Sequence, residues 1–202
     1  MTGNNISDEQ RVVTLMNHDA IINVHSIIPV SRINGPGKRM VVFFQGCRNK
    51  CAGCFNPETH PFIRIAEHTP ETIFTNFFRP GIEGLTVSGG DPFYQRRGLL
   101  RLLKSAKEDY GLSTVVYTGF TYERLAASAY CRVIFRYTDV LIDGKFEEAR
   151  REPTMLARGS TNQRLHFLSN RYREEDFIMN GKVELIVGSD GTITQTGFSK
   201  VA

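Results

Sequence analysis

No apolar run in this chain approaches the ~20 residues that a helix needs to cross a bilayer, so no membrane role is expected. Met1 to Gln10 is polar and lacks the basic and apolar regions of an export signal. Charge of one sign is missing too: 25 basic residues face 21 acidic ones, and a net +4 is too mild to argue for nucleic acid. Cysteine is scarce, and four in 202 residues cannot staple so long a chain as a disulfide framework. Neither an internal repeat, a low-complexity tract, a paired acid and base, nor a nucleophilic triad stands out. These absences leave an ordinary globular composition, 41% hydrophobic and 23% charged, long enough to bury a core without staples. Clustered thiols with no export signal make the cytoplasm the expected compartment.

What is present is concentrated. Three of the four cysteines fall in Gly46-Cys47-Arg48-Asn49-Lys50-Cys51-Ala52-Gly53-Cys54-Phe55-Asn56, spaced C-x3-C-x2-C. Three thiolates on one short loop can hold three irons of a cubane iron–sulfur cluster, whose usual ligand set is four cysteines. With no fourth nearby, one iron stays open to a small molecule. A competing reading is a small zinc-binding interaction module, since zinc also takes about four N or S ligands and His60 could join Cys47, Cys51 and Cys54. Only one C-x2-C pair exists, however, which suits zinc less well. Incidental thiols are the third reading. Cys131 stands alone and reads as a buried small hydrophobe.

Strand and helix signals alternate around this loop. Ile21 to Val30 is rich in Ile and Val, and Met40-Val41-Val42-Phe43-Phe44 is a continuous apolar run of the kind found in strands buried on both faces. Thr69-Pro70-Glu71 opens a helix to about Phe78, with a cap, a first-turn proline and an acid. Ile82 to Val87 reads as a strand, Phe93 to Tyr110 as a helix with one broad apolar face, and Ser113 to Tyr117 as a strand. A helix is expected near Thr121 to Ala129; Val133 to Phe135 is ambiguous; Asp139 to Gly144 is a strand closed by a turn. Lys182 to Val187 and Thr192 to Thr196 flank a glycine-containing turn and read as a hairpin. The expected organisation is a polar extension (residues 1–20), an α/β core with a parallel sheet (21–165) and a C-terminal extension with the hairpin (166–202). Ligands of such sheets bind beyond the strand C-termini. The cysteine loop, Gly89-Gly90-Asp91 and Thr118-Gly119 all fall there.

Three ordered motifs carry a resemblance. Gly35-Pro36-Gly37-x-Arg39, Gly46-Cys47-x3-Cys51-x-Gly53-Cys54-Phe55-Asn56 and Ser88-Gly89-Gly90-Asp91-Pro92 resemble the radical S-adenosylmethionine (SAM) activating enzymes. Tyr117 to Phe120, Asp139 to Phe146 and Arg158 to Arg164 narrow it to those that activate anaerobic ribonucleotide reductases. The similarity runs from about Ile33 to Arg164. It implies a partial (βα)6-type barrel, open on one side, since a full eight-unit barrel takes ~250 residues. It further implies a [4Fe–4S] cluster on Cys47, Cys51 and Cys54, with SAM chelating the open iron. One electron from a low-potential donor such as flavodoxin or ferredoxin would cleave SAM to a 5′-deoxyadenosyl radical. That radical would take a hydrogen atom from a glycine of the partner, a glycyl radical enzyme.

The SAM-binding set that the resemblance implies is Gly53, Phe55, Ser88, Gly89, Gly90, Asp91 and Thr118. Several of these have plainer readings: Asp91 before Pro92 as a helix cap, Phe55 as a packing residue, and Thr118 as a turn or helix-start residue. Lys38 and Arg39 read as surface salt contacts. The Arg158 to Arg164 loop is expected to shape a docking mouth or order the chain end rather than to meet SAM. The residues before and after the shared region could select another target, so an activase-like enzyme acting on a different protein or peptide is the alternative.

Overall fold

The computed structural model describes residues 20–152, 157–178, 184–187, 191 and 193–196. The expected N-terminal extension lies outside the described residues except for Ala20. Seven strands make one sheet: β1 (Ile22–Ser31), β2 (Arg39–Phe44), β3 (Ala66–His68), β4 (Gly84–Gly89), β5 (Ser113–Tyr117), β6 (Val140–Asp143) and β7 (Arg164–Phe167). Their order is β3-β1-β2-β4-β5-β6-β7. The central strands β2, β4, β5 and β6 run parallel. Antiparallel β1 and β3 extend one side and β7 the other, which leaves the sheet open, as a partial barrel should be. The two outermost strands have no apolar run of their own; they form because a neighbouring edge offers a ladder.

Helices fill the crossovers. In α1 (Pro70–Phe77) the Thr69 hydroxyl accepts from the Thr72 N–H at 3.3 Å, and the Thr72 hydroxyl accepts from the Thr69 N–H at 2.9 Å. This reciprocal cap satisfies donors that a helix start leaves open, and it orients Ile73 and Phe74 into the core. The long helix expected from Phe93 opens with a 3-10 turn, Pro92–Gln95, before α2 (Arg96–Glu108) buries Leu99, Leu100, Leu102, Leu103 and Ala106. The segment expected as one helix to Ala129 is two, α3 (Tyr122–Ala126) and α4 (Ala129–Phe135), the latter absorbing the ambiguous Val133 to Phe135. Breaking at Ala127-Ser128 lets Leu125 of one and Cys131, Val133 and Ile134 of the other share one core. The C-terminal strands β8 (Glu184–Val187) and β9 (Ile193–Thr196) pair antiparallel, as the hairpin reading requires. Among the described residues no helix is long and apolar enough to cross a membrane.

The pleat sorts each parallel strand onto two faces. Met40, Val42, Phe44, Leu85, Val87, Val116 and Leu141 pack beneath the helices. On the opposite face Val115, Val140 and Ile142 are closed over by Ile33, Ala157 and Phe177. Below them, at the strand N-termini, sits Arg39. It is not the expected surface residue: it is 0% exposed. Its Nε donates to Thr86 Oγ1 at 2.8 Å, Nη1 to Pro36 O at 2.9 Å and Ser113 Oγ at 3.0 Å, and Nη2 to Leu85 O at 2.8 Å. Burial lowers its pKa, yet neutral oxygens take up its donors, and the Gly35-Pro36-Gly37 turn folds over it. Lys38 is half-buried, and its backbone N–H donates to Glu83 Oε1 at 3.2 Å.

Candidate functional site

A cleft with about 630 Å³ of empty space, open to solvent, lies at the C-terminal ends of β2, β4, β5 and β6. Cys47, Cys51, Cys54 and Phe55 form one wall, Ser88, Gly89, Gly90 and Asp91 a second, and Thr118 a third. Thus every expected site residue except Gly53 reaches it. Gly53 (φ +66°) lies behind the loop, where a Cβ would collide with the Glu148 carboxylate.

The cysteine loop follows β2, and its start is pinned to the segment beyond it by backbone bonds: Gly46 N–H to Thr59 O at 2.7 Å and Cys47 N–H to His60 O at 3.0 Å. All three cysteines are free and half-buried. Burial pushes the Cys47 and Cys54 thiols up, against an N–H from Asn49 on Cys47 and one from Asn56 on Cys54. Metal binding would deprotonate them outright.

The glycine pair closes the strand end onto this loop. The Gly90 N–H donates to Phe44 O at 2.7 Å and the Asp91 N–H to Gly46 O at 3.0 Å. A Cβ on Gly90 would lie 2.5 Å from Gly46 O, and one on Gly89 (φ +93°) 2.7 Å from Phe44 N and O. Only glycine allows so close an approach of two backbones.

Asp91 is 2% exposed and caps the 3-10 turn, its Oδ1 accepting from the Phe93 N–H at 3.1 Å. Both its oxygens also accept from the Thr118 hydroxyl, and Oδ2 accepts from the Gly119 N–H at 3.0 Å. Burial pushes its pKa up to about 6, despite these donors and one from Asn49. Thr118 therefore latches β5 to the end of β4; the cap of α3 is Thr121. Phe55 is not a core residue: it lines the cleft edge-on to Phe146 at 5.1 Å, with the Arg151 guanidinium 4.8 Å above its ring.

Sequence reasoning missed Asn49, Tyr117, Lys145 and Phe146, which also line the cleft. The 158–164 loop, expected to shape a docking mouth or order the chain end, contributes Gly159 and Gln163 to the cleft wall. Gln163 Oε1 accepts from the Gly159 and Ser160 N–H groups at 2.9 and 3.2 Å, and its Nε2 donates to Gly144 O at 2.9 Å. The loop's polar side chains satisfy its own backbone and leave a glycine facing the cleft. The motifs Asp139 to Phe146 and Arg158 to Arg164 were the available signal.

A protein-family model described as "4Fe-4S single cluster domain" matches residues 33–166. The anaerobic ribonucleoside-triphosphate reductase-activating protein of Pasteurella multocida (strain Pm70) is 35% identical over 150 residues, covering 70% of this chain and 95% of the relative. The protein of that name from Escherichia coli (strain K12) is 34% identical over 158 residues, covering 73% and 99%. The chain belongs to the radical SAM activating-enzyme family. Among solved structures, QueE from Escherichia coli aligns over 57% of this chain and 58% of its own, with 19% identity and a TM-score of 0.40.

For a radical SAM oxidoreductase the donor set is the test. Among the described residues no three His, Cys, Asp or Glu side chains are grouped to hold a single metal ion. A cubane makes a different demand, because each thiolate binds its own iron. Three half-buried thiols along one wall fit it, and the fourth cysteine, Cys131, is buried in α4 away from the cleft. His60, the zinc candidate, lines the cleft, and its backbone carbonyl takes the Cys47 N–H.

Proposed function

We propose that this chain holds a [4Fe–4S] cluster on Cys47, Cys51 and Cys54, binds SAM in the adjoining cleft, and generates a glycyl radical on an anaerobic ribonucleotide reductase. The observation that carries this reading is that the three thiols and the Gly89-Gly90 strand end face one cleft. Bound there, the cluster and SAM would supply one-electron radical chemistry directed at a glycine hydrogen of the partner.

The chain's residues bind, orient and exclude water. Gly89 and Gly90 leave room for the methionine moiety against bare backbone, with the Ser88 hydroxyl beside it. Lys145 at the mouth brings a cation suited to the SAM carboxylate, and Phe55 with Phe146 offers an aromatic wall for the adenine. Gly53 keeps the loop tight. Asp91 and Thr118, already engaged with each other, act by holding two strand ends rather than by touching SAM. The open side of the sheet admits a glycine-bearing loop of the partner, and a low-potential carrier such as flavodoxin or ferredoxin supplies the electron. The names of the relatives support the reductase as target.

Anaerobically reconstituted protein with reductant is expected to form 5′-deoxyadenosine from SAM and an electron paramagnetic resonance signal of a glycyl radical on added reductase. Cys51→Ala should abolish both. If that variant makes as much 5′-deoxyadenosine as the parent, the cluster assignment fails. If 5′-deoxyadenosine forms but no radical reaches the reductase, the target is another protein.

A further inference from the structure

The cysteine loop has two sides, and Cys47 and His60 line a cavity on each. The inner one is the cleft described above; the outer one is formed with Arg48, Lys50, Pro61 and Phe62. We infer that this outer side is the docking surface for an acidic, low-potential one-electron carrier protein. The inference rests on the cluster reading above and adds where the electron enters.

Position makes the first argument. With SAM on the inner side, the outer cavity, which Cys47 also lines, offers a reductant too large for the cleft a separate approach to a cluster on Cys47. Charge makes the second. Arg48 and Lys50 are exposed, and neither is ion-paired among the described residues, whereas the nearby Arg64 is neutralised by Glu67 at 3.1 Å. Two uncompensated cations flanking a redox centre attract a negative partner and speed its encounter.

Surface chemistry makes the third. Phe62 (58% exposed), Ile63 and Ile65 form an exposed apolar strip next to these cations. The Arg48 guanidinium lies 5.6 Å above the Phe62 ring and 6.0 Å from that of Tyr94, and the two rings meet edge-on at 5.4 Å. Aromatic and arginine side chains are the groups that anchor protein interfaces. The strip is also held in shape: the Phe62 ring lies against Gly46, where a Cβ would come within 2.8 Å of it. Lys50 is held at φ +46°, the one non-glycine residue with positive φ among those described. Such strain at an exposed lysine fits a side chain that is presented rather than packed. In the step itself the carrier loses one electron and the oxidised cluster gains it, with no bond made or broken.

The test compares reconstituted parent and Arg48→Glu/Lys50→Glu holoproteins of equal iron and sulfide content. With reduced flavodoxin at low ionic strength, 5′-deoxyadenosine formation should fall about tenfold or more in the variant, and the gap should close as salt screens the charges. With reduced methyl viologen, a small cation, the two proteins should match within about twofold, as electrostatics steers only the charged protein partner. Calorimetric binding of flavodoxin should weaken in parallel, and this readout does not need turnover. If the parent binds flavodoxin through these residues yet makes no 5′-deoxyadenosine, docking stands and the proposed function falls. Equal flavodoxin binding and rates in parent and variant would overturn the docking site. So would an equal loss with both reductants, or a variant that loses reductase binding while keeping flavodoxin.

Discussion

The hydroxyl of Thr118 donates to both carboxylate oxygens of Asp91, at 3.0 and 3.2 Å, across the ends of two parallel strands. Asp91 follows β4 and Thr118 follows β5, so one buried side chain ties the glycine strand end to its neighbour. The cleft keeps its shape through this contact, whose cost is a carboxylate removed from water.

That cost is readable in pH. Burial pushes Asp91 from 3.8 to about 6, so the folded chain holds this proton more tightly than the unfolded chain. The favourable contribution is full below about pH 4 and is lost as pH rises through about 6. Asp91→Asn removes the titration. In urea unfolding, the stability of the variant relative to the parent should rise by up to ~3 kcal/mol between pH 4 and 7. A difference that stays flat over this window would mean that the carboxylate is not shifted.

Arg39 should be a stability residue rather than a binding residue. Arg39→Met leaves the Thr86 hydroxyl and the Pro36 and Leu85 carbonyls without the donor that Arg39 gives them in a dry site, whereas Ser113 Oγ keeps the Tyr172 hydroxyl at 2.7 Å. A loss of about 3 kcal/mol or more is expected from the urea midpoint. Arg39→Lys, with fewer and differently placed donors, should recover only part of it. SAM affinity of the folded fraction should hold, because Arg39 lies at the opposite end of the strands from the cleft.

Two glycines with opposite surroundings make a controlled pair. Gly90→Ala drives a Cβ into the Gly46 carbonyl, whereas Gly111→Ala (φ +64°) meets nothing within 4 Å. The second should cost about 1 kcal/mol from backbone strain alone. The first displaces the root of the cysteine loop, so iron retained per chain after anaerobic desalting should fall well below that of the parent and of Gly111→Ala. Equal iron in all three would show that the loop does not depend on this backbone contact.

Gln163 makes a different kind of contribution, tying the 158–164 loop to Gly144 at the end of β6. Gln163→Ala frees two N–H groups and one carbonyl, an expected loss of about 2 kcal/mol. The KM for SAM should rise about tenfold through the loosened wall, while iron content stays at the parent level. A parallel fall in iron would show that the loop supports the cluster instead.

The contrast between Arg39 and Thr69 explains what could be read in advance. Thr69-Pro70-Glu71 predicts a helix start because capping involves residues three apart, and the structure forms that cap. Met40 to Phe44 predicts a buried strand because the run is apolar throughout. Arg39, one residue earlier, misleads: the pleat decides whether it meets water or the inner face, and that face exists only once Thr86 and Ser113 have arrived beside it. β3 and β7 escape notice for the same reason, each needing a partner edge distant in the chain.

By itself the sequence determined the reactive inventory: three cysteines on one loop, a glycine pair at a strand end, capped helices and apolar strands, all set by residue type and short-range spacing. The tertiary structure alone decided that Asp91 would bridge strand ends, that Gly159 and Gln163 would complete the wall, and that Arg39 would be buried. These depend on which strands lie side by side and which way each pleat faces, and neighbours many tens of residues away in the chain impose both.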